Sequence, residues 1–312
     1  MTAIFTGTDC LAHDAGYGFP ESPARLAGIL DGFDSSWDVT EVEEDPRLDE
    51  VLQGIHDPRY VDVFRRAVER GDGLLGSSDN PLTGATWRAA RSAASAAIGA
   101  ADAVARGGGG AFAAVRPPGH HAESKLPMGF CYLNNIAAAA EQLLGSHGLD
   151  RIAIYDFDVH HGNGTQEIFY RRDDVFFAST HQWPFYPGTG SSIETGRDAG
   201  EGKTLNVPLP AGTGDEEFLT AVRDAIVPAI DAYSPDALLI SAGFDPWEND
   251  PLGGMRLTDA GFADLGKLLR DLADRRCSGR MLSVLEGGYD LKALPGLVRT
   301  YLRASGTGPD AA

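Results

Sequence analysis

The chain has 312 residues, 43% of them hydrophobic, and a net charge of −19. That length and apolar content suffice for a large core in one α/β unit, whereas no apolar run nears the roughly 20 residues that cross a bilayer. The acidic balance, with no basic stripe to offset it, disfavours nucleic-acid phosphates; it favours a cationic substrate and keeps the chain soluble. Cys10, Cys131 and Cys277 are odd in number, widely spaced and without a CxxC, which argues against a disulfide framework or a thiolate zinc site. The opening MTAIFTGTDC has no basic n-region and no long apolar stretch, so no signal peptide is read and a cytoplasmic location is expected.

In chain order, Ser22 and Pro23 predict the cap and first turn of a helix running to about Phe33, because serine accepts a backbone N–H and proline tolerates the first turn. Asp57-Pro58 repeats that device before YVDVFRRAVER. Residues 84–106 are alanine-rich and predict a long helix, closed by a glycine run at 107–110. Apolar strands are predicted at 111–115 (AFAAV), 151–157 (RIAIYDF), 175–180 (VFFAST), 205–209 (LNVPL), 237–242 (ALLISA) and 281–286 (MLSVLE). Helical patterns lie between most of them, around 132–144, 215–232, 258–274 and 291–303. One domain is expected over 1–304, with a flexible tail over 305–312 (SGTGPDAA). Strands that are apolar throughout, each followed by a helix, imply a parallel sheet covered on both faces. Ligands in such sheets gather at the carboxyl ends of the strands.

Polar, glycine-flanked groups stand at those ends. RPPGHH follows AFAAV, DFDVHHGNG ends RIAIY, GFD follows ALLISA, and EGGYD follows MLSVL. Side chains alternate faces along an extended segment, so Asp156, Asp158 and His160 point the same way. Two carboxylates and an imidazole brought together are costly unless a cation neutralises them, and the donor set suits zinc, with manganese second. The alternative is a hydrogen-bonded Asp–His turn, against which Gly162 and Gly164 clear backbone space. Asp245 is a third candidate ligand, or else a turn cap. His120 and His121 sit on the turn after Arg116-Pro117-Pro118-Gly119, where a neutral imidazole can take a proton from water and return it to a leaving amine. Ligation or loop bonding is their alternative role. Tyr289 follows Gly287 and Gly288, which let the backbone approach a pocket; its hydroxyl can donate to an oxyanion, or the ring can simply pack.

Taken in order, RPPGHH, GFCYLNN, DFDVHHGNGTQ, PGTG, SAGFD and LEGGYD resemble the histone deacetylase superfamily. That group includes bacterial histone deacetylase-like amidohydrolases, acetylpolyamine amidohydrolases and acetoin-utilisation proteins. The resemblance runs from about Glu21-Ser22-Pro23-Ala24-Arg25-Leu26 to the helix after Tyr289. It implies an arginase/deacetylase-like three-layer α/β sandwich whose central parallel sheet has about eight strands. It implies one catalytic zinc, with Asp158, His160 and Asp245 matching the ligands. A structural potassium is implied at Asp156, Asp158, His160, Ser179 and Thr180, partly through backbone oxygens. His121 matches the general base and acid, His120 its electrostatic partner oriented by Asp156, and Tyr289 the group that polarises the scissile carbonyl.

Phe130 and Tyr186 match the walls of an acyl-lysine tunnel, and Gly129 matches a backbone carbonyl offered to substrate. Asn163 matches class II-like members, where class I members carry aspartate. Tyr186 replaces a phenylalanine common at its position. Leu252 matches an apolar gatekeeper, where the polyamine-selective class IIb member has glutamate. Asp79, in SSDNP, aligns with a contact to the substrate backbone. The activity implied is zinc-dependent hydrolysis of N-acyl, chiefly N-acetyl, lysine in proteins or peptides. Acetylpolyamine or another small N-acyl amine is the alternative substrate, and a non-catalytic acyl-group sensor the alternative role. A binuclear manganese ureohydrolase is disfavoured, because Asn163 and His161 stand where it would need more carboxylates. Neither nucleic acid nor membrane is an expected partner, and the oligomeric state is not legible.

Overall fold

The computed structural model describes residues 3–107 and 109–309. Its strands are β1 (Ala3–Gly7), β2 (Asp38–Val42), β3 (Leu74–Leu75), β4 (Ser77–Pro81), β5 (Gly110–Ala113), β6 (Ile152–Asp156), β7 (Val175–Gln182), β8 (Thr204–Leu209), β9 (Ala237–Ala242) and β10 (Met281–Leu285). Eight strands form one sheet in the order β2-β1-β5-β10-β9-β6-β7-β8, parallel at every pairing. β3 and β4 make a separate antiparallel hairpin. Every position of β6, β7, β9 and β10 is buried, which requires cover on both faces. β2 is an edge strand, exposed at all but its last position, and its DVTEV sequence shows no apolar run. Neither it nor β1 was expected.

The helices are α1 (Pro23–Asp31), α2 (Leu48–Ile55), α3 (Pro58–Arg70), α4 (Thr86–Gly107), α5 (Asn135–His147), α6 (Asn163–Phe169), α7 (Asp215–Ala221), α8 (Val227–Tyr233), α9 (Asp259–Arg276) and α10 (Leu294–Ala304). A π-helical turn over Val222–Ile226 joins α7 to α8, so the helical segment expected at 215–232 is continuous. α2 and α6 are additions to the expected set. Asp57 caps α3 as anticipated, accepting from the Arg59 N–H at 2.9 Å. Ser22 occupies the cap position of α1, but its hydroxyl makes no capping bond. Pro23 has no N–H to offer, and the Arg25 N–H is already bonded to the Ser22 carbonyl at 3.1 Å. The flexible tail expected from Ser305 also needs correction at its start. Ser305 and Thr307 are fully buried, and the Ser305 hydroxyl donates to the Leu302 carbonyl. The rest of that tail, 310–312, lies outside the described residues, as does Gly108 of the glycine run. Among the described residues no helix is long and apolar enough to cross a membrane.

Strand register positions the site. Asp156 pairs with both Ser179 and Ser241, Ser241 with Val284, and Val284 with Ala113. The carboxyl ends of β5, β10, β9 and β6 are therefore nearly level, β7 runs on to Gln182, and the loops leaving them converge on one edge of the sheet.

Candidate active site

Asp158 and His160 lie just beyond β6, and Asp245 just beyond β9. One ligand atom from each falls within 4.8 Å of the others. His160 Nδ1 is 3.1 Å from Asp158 Oδ1 and 3.1 Å from Asp245 Oδ2. Both carboxylates are fully buried, and among the described residues their only ion-pair partners are histidines. Burial and the adjacent Asp158 charge push the Asp245 carboxyl up to about 7, as expected where two carboxylates share a buried site. The backbone is shaped to the cluster: a Cβ on Gly287 would lie 2.2 Å from Asp245 Oδ2 and 2.5 Å from Asp158 Oδ2. Buried oxygens and one imidazole nitrogen, cradled by glycine, fit a divalent ion such as zinc. Asp156 points elsewhere than the shared face suggested: its Oδ2 meets His120 Nδ1 at 2.9 Å, and it stands outside the three-residue cluster.

The two histidines after β5 rest on different supports. His120 pairs with Asp156, while His121 Nδ1 lies 2.7 Å from Asn163 Oδ1. Burial lowers the His120 pKa, but Asp156 and then Asp158 more than offset this and raise it overall. For His121, burial and the charges of His120 and His160 act together and lower it well below the ordinary imidazole range. A neutral His121 that donates from Nδ1 keeps Nε2 as its proton acceptor. Gly129 packs so closely that a Cβ there would come within 2.3 Å of His121 Cδ2.

A cavity of about 200 Å³ opens over this floor, lined by His121, His160 and Tyr289 below and by Gly129, Phe130, Tyr186, Leu252 and Asp79 around it. The rings of Phe130 and Tyr289 meet edge to face at 5.9 Å, as do those of His121 and Tyr186 at 5.3 Å. Phe130 holds a left-handed φ of 69°, a conformation that costs a non-glycine residue about 1–2 kcal/mol and turns its ring into the wall. Asp79, on the β3–β4 hairpin, accepts from the Tyr186 hydroxyl at 2.8 Å and from the Gly129 N–H at 3.3 Å. Asp250 Oδ1 accepts from the Leu252 N–H and its Oδ2 from the Tyr289 N–H, so one carboxylate ties two walls together. Burial holds the Tyr289 hydroxyl well above its ordinary pKa, so it remains a donor.

With this geometry, similarity to known proteins is specific. Residues 19–305 match the histone deacetylase domain. The chain belongs to the histone deacetylase family. A probable deacetylase of Archaeoglobus fulgidus is 41% identical over 303 residues, covering 95% of this chain and 83% of that one. A histone deacetylase-like amidohydrolase of Pseudomonas aeruginosa is 39% identical over 278 residues, covering 88% and 73%. The crystal structure of acetylpolyamine aminohydrolase from Burkholderia pseudomallei superposes with a TM-score of 0.89 at 32% identity, covering 98% and 99%. The eight-stranded sheet is thus the arginase/deacetylase-like fold, and the family is one of deacetylases and amidohydrolases.

Several residues beneath this family's site had no assigned role in the sequence. Glu286 accepts from the Gly119 and His120 N–H groups at 2.7 and 3.1 Å, and so fixes the turn that presents both histidines. Arg25 donates to the Glu286 and Gly288 carbonyls at 2.5 and 2.6 Å and lies 4.6 Å from the Tyr289 ring centroid. Glu21 pairs with Arg25 at 3.1 Å and with Arg116 at 2.9 Å, all three fully buried. Phe185 stacks on His160 at 5.3 Å. The Glu21–Arg25 spacing on a helix start, and the glutamate before Gly287-Gly288, were the available signals. The hydroxyls of Ser179 and Thr180 are buried and bonded to His181 and Tyr155.

Proposed function

We propose that the protein is a zinc-dependent deacylase that hydrolyses the amide of N-acetyl-lysine or a near relative in proteins or peptides. The observation that carries this reading is that His121, His160 and Tyr289 line one narrow cavity with apolar walls. Zinc held by Asp158, His160 and Asp245 would supply Lewis acidity towards water and the acyl carbonyl. His121 Nε2 takes a proton as water attacks the acyl carbon, and the Tyr289 hydroxyl donates to the oxyanion that forms. His120, held cationic by Asp156, adds positive charge behind it. The proton on His121 then passes to the departing amine. Phe130 and Tyr186 hold the aliphatic stem, Gly129 offers its carbonyl, and Leu252 forms the rim. Asn163 orients His121, and Asp79 stands where it can meet the substrate backbone. A structural potassium near Asp156, Asp158, His160, Ser179 and Thr180 belongs to the same reading. Because the Ser179 and Thr180 hydroxyls are already bonded, it would rely on backbone oxygens there.

A second reading, an acetylpolyamine hydrolase, is favoured by the net charge of −19 and by the solved relative of that name. Against it, Leu252, among the residues lining the cavity, is apolar. A panel of acyl-lysine peptides and acetylated polyamines, with zinc measured in the same samples, separates the readings. Peptide turnover with one zinc per chain is expected, and Tyr289→Phe should lower kcat by about 10²–10³ with zinc retained. Zinc-loaded protein inert towards every acylated amine would instead indicate a sensor.

A further inference from the structure

Asn163 has two faces. Its Oδ1 is 2.7 Å from His121 Nδ1, and its Nδ2 donates to Glu123 Oε1 at 2.8 Å. An amide turned over by 180° has almost the same shape. Turned over, it would present its amino group to His121 Nδ1 and move the ring proton to Nε2, the atom that must accept one during water attack. Nothing within Asn163 selects between the two orientations. A carboxylate does, because it accepts hydrogen bonds and cannot donate them.

We propose that Glu123 is a positioning residue that locks the Asn163 amide, and through it holds His121 as the Nδ1–H tautomer with Nε2 free. The proposal rests on the deacylase reading above. The Glu123 backbone is itself fixed: its N–H donates to the Leu126 carbonyl at 2.9 Å, and its carbonyl meets His56 Nδ1 at 3.0 Å. Its side chain borders a polar cavity shared with Asn163, Gln166, Glu167 and Glu194, on the far side of Asn163 from His121. Glu123 is only partly buried; burial and the Glu167 charge raise its carboxyl above the ordinary range, while the hydrogen bond from Asn163 favours the ionised form. An aspartate in place of Asn163 would need no partner to choose its polarity, since both its oxygens accept. Here the negative charge sits one side chain further back, and the base works beside a neutral amide.

The test compares Glu123→Gln, Asn163→Asp and the double variant, all zinc-loaded, on an acetyl-lysine peptide. A glutamine can offer either an oxygen or an amino group, so Glu123→Gln frees the amide to turn. Its kcat should fall roughly 10–100-fold, with KM, zinc content and melting temperature unchanged. Asn163→Asp should also lose activity, because it sets its carboxylate against that of Glu123 across a 2.8 Å contact. In the double variant the glutamine amino group faces the aspartate, donor again meets acceptor, and most of the lost kcat should return. A merely structural role would make the double variant at least as poor as the singles. Full activity in Glu123→Gln, or no rescue, overturns the proposal. Ring-nitrogen NMR of His121 reads the same point without turnover. The wild type should show a protonated Nδ1 and a bare Nε2, and Glu123→Gln a mixture; identical spectra would also overturn it. Should the wild type hydrolyse no acylated amine, the deacylase reading fails, and the spectra still decide what Glu123 does.

Discussion

His120 and His121 are consecutive, with rings 4.0 Å apart, yet an acidic carboxylate backs the one and a neutral amide the other. Only His121 lines the cavity. Burial disfavours the charged form of both. Asp156 and Asp158 reverse that for His120, whereas the charge of His120 deepens it for His121. Two identical side chains thus shift in opposite directions: the carboxylate behind His120 outweighs burial, and the amide behind His121 does not. In the proposed reading the inner ring supplies positive charge and the outer ring acts as the base.

The largest expected effect breaks the pair at its outer member. His121→Ala should lower kcat on an acetyl-lysine peptide by about 10²–10⁴, the span that general acid–base groups contribute, with zinc retained. His120→Ala should lose less, because it acts across space without touching the cavity. Equal losses in the two variants would remove the distinction between them.

A smaller effect follows from making the two supports alike. Asp156→Asn gives His120 an amide in place of a carboxylate and should lower kcat roughly 10–100-fold, as losing an orienting partner does. Unchanged kcat would mean that the charge on His120 contributes nothing to the reaction.

The contrast between supports also marks what was legible in the sequence. His120, His121, Asp158, His160 and Asp245 could be read because each follows an apolar run that becomes a buried strand, and the strand end is where such folds bind ligands. Of the partners behind them, Asp156 could be paired with His120 only through family resemblance, and Asn163 was not paired with His121, since they lie 36 and 42 residues away along the chain. Even inside the quoted motifs, other long-range pairings made by side chains stayed hidden. Arg116 meets Glu21 across 95 residues, and Glu286 meets Gly119 across 167. The hairpin that carries Asp79 was missed for a local reason. Serine, aspartate, asparagine and proline in SSDNP favour turns, and pairing with β3, together with Asn80 bonded to the Cys131 carbonyl, holds it extended.

The smallest effect concerns His56, a neutral histidine that serves the outer support. Its Nε2 accepts from the Asn134 N–H at 3.0 Å, so Nδ1 carries the proton donated to the Glu123 carbonyl. Burial lowers its pKa from 6.5 to about 4. Between those two values the unfolded chain binds the proton that the folded chain excludes, so the contribution of His56 is complete at neutral pH and declines on acidification. Roughly 2 kcal/mol of it is gone by pH 5. Urea unfolding at pH 7 and pH 5 measures this directly. The wild type should lose more stability across that interval than His56→Gln, which has nothing to protonate there. Matching losses would locate the acid sensitivity elsewhere and leave the Glu123 side of the pair indifferent to pH.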